Sequence, residues 1–299
     1  MELALNLIFL AVVTLAYAKS IEQSETLSAR GYNKRVAIPL GEEIRKHEES
    51  LLSQSASGRI AGGSNSALGQ FPYQVGVLTN FIGISGTGVC GGSLVSANRV
   101  IHAAHCWFDG DDQGYISEIV MGSTTLFFGG TRQSTANVIM HPQWNPDLIR
   151  DDVAVIYLPN LVQFSNTIAP IALPSGSQLN ENFSGEVAVA SGFGRTGDSN
   201  AGAITLFQTL SHVNLNVITN DNCRNSFPNN VVDSNICTSG FGGTSTCSGD
   251  SGGPLAVTRN GQPLLIGITS FGSFWGCQLG YPAAFARVSS FMSFFNQHL

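Results

Sequence analysis

The chain has 299 residues, a formal net charge of −6, 43% hydrophobic residues and only 11% charged ones. That length and apolar content suit one large domain or two packed sub-domains with a sizeable core. An acidic balance with no Lys/Arg stripe excludes a nucleic-acid binder.

The chain opens with an apolar run from Leu3 to Leu15, followed by Ala16-Tyr17-Ala18, small residues at a cleavage position. Residues 1–18 therefore read as a secretory signal, although Glu2 stands where positive charge is usual. The run is shorter than the roughly 20 residues of a spanning helix. No later segment qualifies, so secretion without membrane association is expected.

Residues 19–59 carry seven basic residues and six glutamates, whereas the rest of the chain has no lysine and seven arginines. Polar spacers at 50–58 lead to Arg59-Ile60. This pattern predicts a mobile pro-segment over 19–59, with a short helix near Glu42 to Leu52, ahead of a compact domain over 60–299. The segment has no cysteine, so no disulfide can tether it after a cut.

Strand-like stretches then recur at Val75–Leu78, Ser93–Val95, Val100–Ala103, Val138–Met140, Val153–Leu158, Glu186–Ser191 and Leu264–Ser270. Gly, Pro, Asn or Asp separates them, a spacing that predicts an all-β barrel or sandwich. Within the domain only the C-terminus, Val288 to His298, has room for a helix, with Val288, Phe291, Phe294 and Phe295 as core contacts. Asp109, Asp111 and Asp112 read as a solvated loop.

Six cysteines, Cys90, Cys106, Cys223, Cys237, Cys247 and Cys277, point to disulfides in an oxidising compartment, and spacing leaves their pairing open. A zinc site would want close Cys/His pairs with short spacers. Neither a metal nor a cofactor is expected.

The chemistry-bearing signal is Gly249-Asp250-Ser251-Gly252-Gly253-Pro254-Leu255. A serine hydroxyl is a poor nucleophile until a base takes its proton. Flanking glycines let the chain turn tightly and let backbone N–H groups converge on a developing oxyanion. A base stands in Ala103-Ala104-His105-Cys106 and a carboxylate in Asp152-Val153-Ala154-Val155.

With these three motifs in the order His, Asp, Ser, residues 60–299 resemble the chymotrypsin-like (trypsin-fold) serine proteases. The resemblance implies two packed six-stranded antiparallel β-barrels with a short C-terminal helix. It implies His105 as general base, Asp152 as orienting carboxylate, Ser251 as nucleophile, and the N–H groups of Gly249 and Ser251 as oxyanion hole. The register selects Asp152 over Asp151, and makes His102, where relatives more often have Thr or Ser, a structural residue behind the site. It further implies the pairs Cys90–Cys106, Cys223–Cys237 and Cys247–Cys277, and Ser270 as a support for Asp152.

Arg59-Ile60-Ala61-Gly62-Gly63 resembles the family's activation junction, implying a cut after Arg59 and pairing of the new Ile60 ammonium with Asp250. Around the substrate pocket, Ser245 matches the base, Gly272 an open wall and Ala283 a second position near the base. The segment from Gly267 to Val288 looks especially like the arthropod digestive chymotrypsins and collagenolytic brachyurins.

A neutral pocket implies cleavage after large apolar or aromatic residues, and a trypsin-like partner to make the Arg59 cut. The alternatives are elastase-like preference for small residues, if Ala283 narrows the pocket, and a catalytically silent binding homologue. A regulatory cascade protease would be expected to carry a cysteine-rich module and an acidic pocket, both lacking here. The expected partners are protein or peptide substrates, the activating protease and protein protease inhibitors, for a monomer in a digestive gut lumen. Asn182-Phe183-Ser184 is a glycosylation sequon.

Overall fold

The computed structural model describes residues 26–53, 64–198 and 209–299. The readings made on residues 1–18, Arg59 and Ile60 lie outside the described residues.

Among the described residues, short stretches of alternating and continuous apolar residues give fourteen strands: β1 (Ser64–Asn65), β2 (Gln74–Phe81), β3 (Thr87–Ser96), β4 (Arg99–His102), β5 (Gly114–Met121), β6 (Thr131–Thr135), β7 (Val138–Met140), β8 (Ala154–Tyr157), β9 (Val187–Gly192), β10 (Ser211–Ile218), β11 (Asn235–Thr238), β12 (Pro254–Arg259), β13 (Gln262–Phe271) and β14 (Ala283–Arg287). They form two antiparallel sheets. The first runs β6-β5-β2-β3-β4-β8-β7 and stays open as a half-barrel. In the second, β10-β11-β14-β13-β12-β9 closes on itself through β9–β10 pairing, and β1 adds to β10.

The seven strands missing from the sequence reading, β1, β5, β6, β10, β11, β12 and β14, are fixed by pairing with their neighbours. Alanine-rich β14, for example, is fixed by pairing with β11 on one side and β13 on the other. One core cluster spans both sheets, joining Val77, Leu94 and Ile156 to Leu265, Ile268 and Val288. The C-terminal helix, Met292–His298 after a 3-10 turn at Val288–Phe291, buries Phe291, Phe294 and Phe295 in that cluster, as their spacing predicts. A single helical turn at Asn220–Arg224, capped by the Thr219 side chain, is an addition the sequence reading lacked.

The expectation of a mobile N-terminal segment is corrected for residues 26–53, which are folded. A turn at Asn33–Ala37 leads into helix α1, Ile38–Ser53, which starts ahead of the predicted Glu42. Ala37, Ile38, Leu40 and Ile44 are buried, while Arg45 and Glu49 face solvent. Apart from Glu48, most of the charge that makes the segment read as solvated lies on its outer face. Leu40 and Ile44 join a cluster with Leu78, Val89 and Val120 of the first sheet and Phe193 and Leu210 from the second half. Glu48, itself buried, accepts the backbone N–H groups of Leu126 and Phe127 at 2.7 Å each.

Asp109 is also corrected: it is fully buried, not solvated, and accepts N–H bonds from Asp111, Asp112 and Asn33. Among the described residues no helix is long and apolar enough to cross a membrane.

Candidate active site

Strand β4 ends in a 3-10 turn, Ala104–Cys106, which brings His105 to the seam between the two sheets. The Cys90–Cys106 disulfide ties this turn to β3. Asp152 precedes β8, next to β4, and is buried. Its Oδ1 accepts the His105 backbone N–H at 2.9 Å, and its Oδ2 lies 2.7 Å from His105 Nδ1. A bulge in the β13–β14 pairing leaves Ser270 as the extra residue, and its hydroxyl donates to Asp152 Oδ2 at 2.6 Å. Burial by itself would raise the Asp152 carboxyl, but His105 and the hydrogen bonds from His105 and Ser270 hold it below the usual range. Neighbouring Asp151 lies in the left-handed region at φ 55°, turning the chain so that Asp152 points inward.

Ser251 lies two residues after Gly249, whose φ of 94° only glycine adopts without strain. The Ser251 carbonyl accepts the N–H of Gly91 at 2.7 Å, which fastens this turn to β3 of the other sheet. The Gly91 carbonyl lies 2.7 Å from Nδ1 of buried His102. Burial lowers His102 to about 4, so the ring is neutral and its Nδ1–H donates. His102 stands directly behind Gly252, where a Cβ would meet Nδ1 at 2.6 Å.

Asp250 is half-buried and accepts N–H bonds from Cys247 and Gly194 at 2.9 Å each. Burial raises it to about 6, and those two donors only partly offset the effect. No cation pairs with it among the described residues.

Beside Ser251 lies a cavity of about 550 Å³ lined by Ser245, Ser270, Gly272 and the aromatic residues Phe271, Phe274 and Trp275. A Cβ built on Gly272 would meet nothing within 4 Å, so this wall is open. Ala283 does not belong to the lining. It is buried in the second sheet's core beside Phe285, and Tyr281 and Pro282 line the cavity instead. The Cys247–Cys277 disulfide joins the Ser251 loop to the opposite wall, and Cys223–Cys237 anchors β11.

Two residues at the site were not singled out from the sequence. Asp198 lies on the cavity wall and accepts the N–H groups of Cys277 and Gln278 at 2.8 Å. Tyr32, from the N-terminal segment, reaches Ser251 Oγ at 2.9 Å and stands edge-on to the His105 ring at 4.7 Å. His105 Nε2 is consequently buried with no hydrogen-bond partner. Nothing in a charged leader signals that its tyrosine meets a serine 219 residues away.

Comparison with known proteins gives a consistent result. The sequence profile of the family described as Trypsin matches residues 60–295. A collagenase from Hypoderma lineatum is 38% identical over 255 residues, covering 85% of this chain and 92% of that protein. A brachyurin from Leptuca pugilator is 35% identical over 236 residues, covering 78% and 95%. A solved structure of HL collagenase superposes with a TM-score of 0.71 at 36% identity, over 80% of this chain and 97% of the other.

Proposed function

Since the chain belongs to the trypsin family and is a serine endopeptidase, we propose that Ser251 is its nucleophile, His105 its general base and Asp152 the group that orients the base. The observation that carries this reading is the buried His105–Asp152 contact, braced by Ser270 and facing the turn that holds Ser251. With the site free, His105 Nε2 takes the Ser251 proton as Oγ attacks the peptide carbonyl. The N–H groups of Gly249 and Ser251 take up the charge on the carbonyl oxygen. The imidazolium then protonates the leaving amine, and water repeats the sequence to release the acid. Asp152 stays ionised throughout, and its depressed proton affinity suits that role.

The pocket is proposed to take large apolar or aromatic side chains. Ser245 carries no charge, the Gly272 wall is open, and the rim is aromatic. Burying one such side chain contributes about 1.5–3 kcal/mol. The elastase-like alternative rested on Ala283, whose methyl group lies in the barrel core rather than the cavity. A second reading, cleavage after Arg or Lys, is favoured by Asp198 on the cavity wall. Against it, the carboxylate already accepts two N–H groups.

The enzyme is further proposed to be secreted as a precursor over 19–299 and activated by a trypsin-like protease cutting after Arg59. Asp250 supports this reading as a half-buried carboxylate, its proton affinity raised by desolvation, with no cation partner among the described residues. The absence of lysine beyond Arg59 fits a digestive lumen, because it leaves few sites for trypsin-like neighbours, and arginine keeps its charge in alkaline fluid.

The test is hydrolysis of matched peptides with Phe, Leu, Ala or Arg before the cut. It uses enzyme cleaved after Arg59 and freed of the N-terminal fragment. Phe and Leu should be cleaved and Ala and Arg poorly, with Ser251→Ala losing about 10⁴-fold or more. Preferred Arg cleavage would move the specificity to Asp198. Total inactivity in well-folded protein would restore the silent homologue.

A further inference from the structure

The residues that occupy the site belong to the chain's own N-terminal segment, and their contacts extend well beyond Tyr32. Leu27 is bracketed by the buried Asn230 side chain, which accepts its N–H at 3.0 Å and donates to its carbonyl at 2.8 Å. Ala29 donates its N–H to the Pro146 carbonyl at 2.8 Å and is buried beside Ile149 and Phe271. Asn33 is fully buried, its N–H donating to Asp109 Oδ2 at 2.8 Å and its side-chain amide to the His105 carbonyl at 3.1 Å.

Charge follows the same line. Arg30 pairs with Asp111 and Asp147, Lys34 acts on Asp112, and Glu43 of α1 pairs with Arg195. At the centre the Tyr32 hydroxyl meets Ser251 Oγ at 2.9 Å. Leu40 presses on Gly249 from behind, where a Cβ would meet its Cδ2 at 2.4 Å.

We infer that residues 27–49 are an inhibitory ligand of the protease domain, with the Tyr32 hydroxyl capping Ser251 Oγ, and that cutting after Arg59 leaves this ligand bound. The inference rests on the proposed reading of 60–299 as the enzyme and of Arg59 as the cut. None of the contacts named above involves the junction, so breaking one peptide bond there removes none of them. The segment also escapes being a substrate. Tyr32 has helical backbone angles (φ −56°, ψ −46°), and Ser251 meets a phenol rather than an extended peptide carbonyl. Activation then takes two steps, the cut and the loss or destruction of the fragment. Lys34 and Arg35 are exposed and offer the activating protease a place to complete the second.

The experiment uses the full precursor, changed at Ser55→Asp, Ala56→Asp, Ser57→Asp, Gly58→Asp and Arg59→Lys. Enteropeptidase then cuts after position 59 and spares the other basic residues. The cleaved protein is examined by gel filtration, and a fluorophosphonate probe reads the accessibility of Ser251. The expected result is co-elution of fragment and domain, with labelling at least tenfold slower than in fragment-free enzyme and slowed again when the fragment is returned.

Tyr32→Phe should speed labelling of the complex several-fold and Tyr32→Ala further. Both should yield fragment-free enzyme identical to the parent. A fragment that elutes apart at micromolar concentration, or one that stays bound while labelling runs at the full rate, would overturn the inference. So would Tyr32 variants that remain docked and inhibit as well as the parent. Fragment-free, folded enzyme that neither labels nor hydrolyses peptides would instead sink the enzyme reading, so the two failures are distinguishable.

Discussion

Individual carboxyl groups illustrate how much one environment can change a residue. Asp152 is buried and Asp250 half-buried, yet the first is held below the ordinary range by His105 and Ser270 while the second is pushed up to about 6. For Asp250 the sign is clear. A carboxyl that holds its proton more firmly in the folded chain imposes no cost below about pH 4. Between about pH 4 and pH 6 the carboxyl must ionise with no cation beside it among the described residues, and stability falls by about 3 kcal/mol. Urea unfolding of the precursor and of Asp250→Asn at pH 4 and pH 7 checks this, since the parent should lose that amount relative to the variant. After the Arg59 cut the difference should shrink or reverse, if the Ile60 ammonium becomes the partner. At Asp152 the concern is geometry: Asp152→Asn should keep the fold and reduce kcat by about 10⁴-fold, because the amide favours the wrong imidazole tautomer.

Among the elements, α1 shows a local preference reversed by its surroundings. Gly41 lies inside a helix, where alanine is normally better by about 1 kcal/mol. Here a Cβ would meet the Thr87 carbonyl oxygen at 2.0 Å, because the helix lies directly on β3. Gly41→Ala should therefore weaken docking of the segment, read as faster proteolysis of residues 26–53 and faster labelling of Ser251 in the uncut precursor. Glu48 anchors the same helix through two N–H groups. Glu48→Ala leaves those donors unsatisfied at a cost of about 1–3 kcal/mol, measured in the same way.

Taken as a whole, the molecule has two sheets whose seam is bridged by few bonds, such as Gly91 N–H to Ser251 and Ser191 Oγ to Gln74 Oε1 at 2.7 Å. The N-terminal segment adds an apolar bridge, since Leu40 and Ile44 touch residues of both halves. A segment that binds only the folded domain stabilises it by mass action. The cut complex should accordingly melt several degrees above fragment-free enzyme, with the gap growing with protein concentration. A calorimetric scan of each decides the point.

The sequence by itself determined the trypsin-like frame. The His105, Asp152 and Ser251 motifs and the cysteine set sit in short local patterns, because a reactive serine needs its glycine turn and a buried carboxylate its strand. The strongly apolar strands were legible for the same reason, and so were the aromatic contacts of the C-terminal helix. Only the tertiary structure decided that Ala283 faces the core, that Asp198 borders the cavity, that Asp109 is buried, and that the charged leader is a folded arm ending on Ser251. Each of those depends on contacts between residues distant in the chain. Charge and spacing in a segment report what it can leave in water, whereas what it covers is set by the shape of the partner surface.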